Sequence, residues 1–166
     1  MEHSKRKNGK RDTKSIGDLS EAVVLAELVR RGHHVLIPFG ENHRYDLVID
    51  NGSGFYRVQV KTGRLRKGTI WFNCYSSHSH RNGPSCRAYF GEVEYFGVYC
   101  PDVESVYLVP IEEVRVNGSL RVEQPRNGQR KKMRWASDYL LERMAGQVGL
   151  KSARGVTLPG LLDEPS

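Results

Sequence analysis

A chain of 166 residues is long enough for one well-packed core and short for two, so a single domain with small terminal extras is expected. Lys and Arg total 26 against 19 Asp and Glu, a net charge of +7 that favours a polyanionic partner, with nucleic acid the first candidate. No stretch approaches the roughly 20 uninterrupted apolar residues of a bilayer span, and residues 1–14 lack the apolar run of a secretion signal, so a soluble cytoplasmic protein with no membrane partner is expected.

In chain order, residues 1–14 carry Lys5, Arg6, Lys7, Lys10, Arg11 and Lys14 with almost no apolar side chain. That composition predicts a flexible basic arm. From Gly17 to Arg31, Leu19, Ala22, Val23, Ala26 and Val29 recur at helical spacing, and Gly32 stands where a left-handed cap is needed. One amphipathic helix is predicted there. Val35 to Ile37 reads as a short strand before Pro38 and a polar loop through Arg44.

Tyr45 to Asp50 and Phe55 to Lys61 are β-prone runs separated by Asn51-Gly52-Ser53-Gly54, which predicts a hairpin. Further strands are expected at residues 70–75, 93–99 and 105–109, with a loop from Ser76 to Arg87 and a small hairpin around Asn117-Gly118. Residues 124–134 are polar and basic. Trp135, Tyr139, Leu140 and Met144 then predict a second helix ending at Gly146, followed by a flexible tail over residues 147–166. The catalytic or binding domain is thus expected over residues 15–146. Cys74, Cys86 and Cys100 are an odd number at loose spacings with no C-x-x-C pair, so they read as reduced core thiols, with His78 and His80 nearby, rather than as a zinc finger.

The hairpin has a chemical consequence. If residues 51–54 form the turn, Asp50 opposes Phe55 and Asp46 stands across from Gln59. Side chains alternate along a strand, so Lys61 shares the face of Gln59 while Val58 and Val60 point to the other, buried side. A carboxylate, an amide and an ammonium therefore meet at the open end, an arrangement that a slip of one residue in register would destroy.

Glu21 on the first helix, Asp46 on one strand and Gln59-Val60-Lys61 on the next together resemble the PD-(D/E)XK nuclease signature, in its helix–strand–strand order. The likeness is closer to the branch whose second motif reads Q-x-K, known from a cyanobacterial group I intron-encoded homing endonuclease and its free-standing relatives. Gly17-Asp18, Tyr45-Asp46, Arg57 to Gly63, Phe72-Asn73-Cys74, residues 95–99 and Arg134-Trp135-Ala136 carry it, so it spans residues 15 to about 145. Tyr45 replaces the proline of the motif name, and Gln59 stands where most members carry Asp or Glu.

The resemblance implies an α/β fold with a restriction-endonuclease-like core, a mixed central sheet flanked by helices. It also implies phosphodiester hydrolysis of DNA, of the homing type or a related site-selective type. A Holliday junction resolvase is the alternative activity, and a DNA-binding module with a decayed centre is the alternative of another class. Hydrolysis needs a cation against the developing phosphate charge and an activated water. Mg²⁺, with Mn²⁺ as a substitute, suits Asp46, Gln59, Glu21 and, by family analogy, the Val60 carbonyl. Lys61 either orients and helps deprotonate the water or offsets charge on the phosphorus centre. Ser20 and His43 are candidate partners of the site, and Tyr45 is a packing residue.

Arg64, Arg66 and Lys67 follow the motif strand, and Arg126, Arg130, Lys131, Lys132 and Arg134 cluster later, as candidate phosphate contacts on double-stranded or branched DNA. Polar residues from Asn73 to Arg87 offer a candidate reader of base edges. One active site cuts one strand, so a homodimer or homotetramer is expected.

Overall fold

A computed structural model of the chain describes residues 12–40, 42–80, 83–114, 117–124 and 133–147. Its first element is helix α1, Thr13–Arg30, whose N-cap Asp12 accepts a hydrogen bond from the Lys14 amide at 2.6 Å. The helix starts a turn earlier than apolar spacing alone predicts, because the cap lies in a polar segment. It ends where Gly32 takes φ +80°.

The face of α1 that meets the sheet differs from the predicted stripe. Ser20, Val24 and Leu28 are its buried residues, four apart. Leu19, Ala22, Ala26 and Val29 lie outside, with Val29 55% exposed. The helix is apolar on more than one side, so spacing alone does not say which stripe the sheet covers.

The central sheet has the order β1 (His34–Leu36), β2 (Leu47–Asp50), β3 (Phe55–Thr62), β8 (Tyr95–Cys100) and β9 (Ser105–Pro110). Only the β3–β8 pair is parallel, so the sheet is mixed as expected. Val58 and Val60 face α1, packing with Val24, Leu28, Leu47 and Ile49. The opposite face carries a second core in which Phe96, Val98 and Cys100 meet Ile70, Phe72 and Leu120. This second layer is a three-stranded sheet, β10 (Asn117–Arg121), β5 (Thr69–Asn73) and β4 (Arg64–Arg66).

β3 runs into β4 through Gly63, whose amide donates to the Tyr99 carbonyl at 2.7 Å. A β-carbon there would stand 2.7 Å from Ile70 Cγ2 and 3.1 Å from Val98 Cγ1, so the bend requires glycine.

Three expectations are corrected. The segment read as a loop from Ser76 to Arg87 forms an antiparallel ribbon, β6 (Tyr75–His80) with β7 (Gly83–Ala88), in a sheet of its own. Asn117-Gly118 is no hairpin turn but the start of β10, with Gly118 opposite Phe72. An added β-carbon at Gly118 would lie 2.1 Å from the Phe72 ring, so this glycine admits an aromatic ring rather than a turn. The predicted helix from Trp135 begins only at Leu141, as α2 (Leu141–Gln147). Residues 136–138 are a 3₁₀ turn, and the Leu108 amide bonds the Tyr139 carbonyl at 2.8 Å, which draws the chain to the edge of β9 instead of into a helix. No described helix is long and apolar enough to cross a membrane.

Candidate active site

The hairpin register follows from its turn. Asn51 Oδ1 accepts from the amides of Ser53 and Gly54 at 2.9 and 2.8 Å, and Gly52 takes φ +81°, so residues 51–54 close the loop. Asp50 then pairs with Phe55 and Leu47 with Val58, while the Asp46 amide bonds the Val58 carbonyl at 2.9 Å.

Asp46 is thereby set beside Gln59. Gln59 Nε2 donates to Asp46 Oδ2 at 2.5 Å, and the Val60 amide donates to the same oxygen at 2.6 Å. Burial pushes the Asp46 carboxyl above its ordinary range, against the Val60 amide, the Lys61 charge and the Gln59 amide, which pull it down. A carboxylate held out of water with one nearby ammonium favours a cation as partner.

Glu21 approaches from α1. Its helix is pinned to the end of β3 by a hydrogen bond of 2.6 Å between the Ser20 and Thr62 hydroxyls, and Ser20 also donates to the Ile16 carbonyl. Burial raises the Glu21 carboxyl, and the charges of Asp46 and Asp18 raise it further. The two carboxylates therefore sense each other across the end of the sheet.

Lys61 projects from the face it shares with Gln59. Its Nζ donates to the Tyr89 hydroxyl at 3.2 Å and lies 4.6 Å from the centre of that ring. Arg44 lies over the same ring at 4.1 Å, held by an ion pair of 2.5 Å with Glu92, by Ser76 Oγ at 2.7 Å and by the Ala88 carbonyl at 2.8 Å. Tyr89 itself is buried. Neither residue was singled out from the sequence; Arg44 stands two positions before Asp46, a weak signal, whereas Tyr89 carries no local one.

The other expected partners separate. Ser20 braces the helix, His43 Nε2 pairs with the Phe39 carbonyl at 2.8 Å, and Tyr45 packs against the second core. Cys74 and Cys100 are buried free thiols, and burial pushes Cys74 up to about 11, as for a protonated core group. Cys86, His78 and His80 lie in the ribbon, where only the backbone is described. Among the described residues no three His, Cys, Asp or Glu side chains gather around one point. The oxygens that Asp46, Gln59, Val60 and Glu21 could offer, carboxylate, amide and carbonyl, are a set that suits a hard divalent cation.

A cleft of about 740 Å³ opens beside Lys61, and Arg64 and Arg66 line it. Lys67 sits at the exposed turn after β4 with φ +49°. Arg134 is half-buried, and its carbonyl accepts the Arg121 amide at 2.7 Å, so its backbone belongs to the edge of the second sheet. Arg126, Arg130, Lys131 and Lys132 lie outside the described residues.

The fold is similar to that of a bacterial homing endonuclease, I-Ssp6803I, with a TM-score of 0.62, 22% identity, and coverage of 82% of this chain and 97% of that one. Hjc, a Holliday junction resolvase of the archaeon Archaeoglobus fulgidus, aligns at a TM-score of 0.37 and 19% identity over 63% of this chain and 83% of its own. No curated protein matches the sequence. The family model of the PD-(D/E)XK endonucleases matches residues 11–142, a span that holds the hairpin, Glu21 and Lys61, and the chain belongs to that family.

Proposed function

We propose that this chain is a divalent-metal-dependent DNA endonuclease, of the homing type or a related site-selective type, with Glu21, Asp46, Gln59 and Lys61 as its active-site residues. The observation that carries this reading is the 2.5 Å contact between Gln59 and Asp46, two residues along β3 from Lys61, which lines a cleft together with Arg64 and Arg66. The homing-endonuclease likeness agrees with it at the level of fold.

Mg²⁺, or Mn²⁺ in its place, would be held by the carboxylates of Asp46 and Glu21, the Gln59 amide oxygen and the Val60 carbonyl. Such an ion, when bound, neutralises charge on the phosphate oxygens and makes its water acidic enough to attack near neutral pH. The chain supplies the rest. Two hydrogen bonds to one carboxylate oxygen hold Asp46 in place, which pre-organises it for its role. Lys61 presents its ammonium, steered by Tyr89, to the phosphate oxygens on which charge accumulates. Arg64, Arg66 and Lys67, with the later cluster, neutralise flanking phosphates and hold the duplex without reading sequence. One such site cuts one strand, so two copies act on a duplex.

The test incubates purified protein with supercoiled plasmid, linear duplex and a four-way junction, each with Mg²⁺, Mn²⁺ or EDTA. Metal-dependent cutting of duplex DNA, lost in Asp46→Ala and Lys61→Ala, is expected. Cutting of the junction alone marks a resolvase, and salt-sensitive binding without cutting under any metal refutes the nuclease reading.

A further inference from the structure

The second sheet has an outer face that the proposed reaction leaves unused. In β5, Ile70 and Phe72 point into the core, so Trp71 and Asn73 point outward. Trp71 is 48% exposed, large for an indole with both neighbours buried. Its cross-strand partners are Arg64 on one side and the small Ser119 on the other, which leaves the ring face uncovered. Asn73 pairs with Asn117 two positions along, putting two amides on the same face.

This face continues the cleft that holds Lys61. The described residues that line it include three cations, Lys61, Arg64 and Arg66, and no carboxylate. A volume of about 740 Å³ lies within the roughly 300–1,000 Å³ that small-molecule pockets occupy. An aromatic plate beside cations, with amides beyond it, has the chemistry of a seat for a nucleobase and its phosphates.

Resting on the nuclease reading for the phosphate at Lys61, we propose that Trp71 receives a base that has left the helical stack beside the scissile phosphate. Within a paired duplex both faces of a base are covered by its neighbours, so only an unstacked nucleotide can lie on the indole. The base has two possible origins, a nucleotide already unpaired in the DNA or one drawn out of a duplex on binding. Arg64 sits beside the ring to meet its phosphate, and Asn73 and Asn117 are placed to pair with its edge.

The chain has two tryptophans, so a Trp135→Phe variant makes Trp71 the sole indole emitter. In EDTA at low salt, fluorescein-labelled DNA is titrated in three forms: a paired duplex, the same duplex with one unpaired adenine, and a single strand. Anisotropy reports binding and indole emission reports stacking. The expected result is saturable quenching of Trp71 by the bulged and single-stranded forms, with roughly ten-fold weaker binding of both in Trp71→Ala and near-normal binding in Trp71→Phe. Equal quenching by the paired duplex also supports the seat and assigns the base to extrusion. Binding by anisotropy with unchanged indole emission and unchanged affinity in Trp71→Ala overturns the inference and leaves the nuclease reading intact. Absence of binding to all three forms overturns both.

Discussion

Gln59 gives its amide hydrogen to Asp46 across the hairpin at 2.5 Å, so the position to which the PD-(D/E)XK motif gives a second acid here stabilises the first one. Substituting Gln59→Glu replaces that donor with a carboxylate. Without metal the two charges repel, and the variant should melt below the parent. With Mg²⁺ the added charge should tighten binding, so the rise in Tm on adding Mg²⁺ should exceed the parent's, by mass action. Thermal melts across a Mg²⁺ series check both parts; an equal metal-induced rise in the two proteins would remove Gln59 from the ion's surroundings.

Tyr89 should govern turnover rather than DNA affinity. Tyr89→Phe keeps the ring beneath Lys61 and Arg44 but deletes the hydroxyl that accepts from Lys61 at 3.2 Å. A hydrogen bond to a charged group contributes about 1.5–3 kcal/mol, so a fall in kcat on the order of ten-fold or more is expected, with KM little changed. Tyr89→Leu, which also loses the ring, should fall further. Steady-state cleavage of a defined duplex separates kcat from KM.

Asp46 should make the metal-free fold sensitive to pH. Burial raises its carboxyl in the folded chain, so the folded state holds that proton more tightly than the unfolded one. This group's contribution to stability is then fully present below the ordinary carboxylate range and is lost as pH rises through the raised folded value. Asp46→Asn keeps an oxygen for the Val60 amide and removes the charge. It should melt above the parent at neutral pH in EDTA, the gap closing as pH falls below the carboxylate range, while cleavage is abolished. Melting curves from pH 3 to pH 8 measure it, those two limits being roughly chosen to bracket that range.

Gly63→Ala should damage fold and chemistry together. The new methyl would press on Ile70, Val98 and Cys100, and overpacking of this kind costs about 1–3 kcal/mol. Denaturant unfolding should show a lowered midpoint with an unchanged slope. Because Lys61 precedes the bend by two residues, cleavage should also slow.

The hairpin of the candidate site was legible because a short turn with a fixed residue count sets register, and register sets which side chains share a face. That step needs only residues 46–61. Asp50 opposite Phe55, and the carboxylate beside Gln59, follow from it. The surroundings were not legible, since they depend on pairings distant in the chain. β10 joins β5 more than 40 residues earlier, and Asn117-Gly118 imitates a turn although its glycine serves the Phe72 ring. The ribbon of β6 and β7 is rich in Ser and His, so it shows little of the alternation that marks a half-buried strand. The helix face was misread for a related reason: α1 is apolar on several sides, and only the sheet beneath it selects Ser20, Val24 and Leu28.

The bend at Gly63 also fixes a ruler. Lys61 and Arg64 are three residues apart on one continuous backbone, and the middle of that span is clamped to Tyr99. Under the proposed function, a strand of DNA resting on Arg64 would meet the Lys61 ammonium within a narrow range of spacings. On that reading, substitutions on the outer plate would change which nucleotides are welcomed while the cut bond kept the same offset from them.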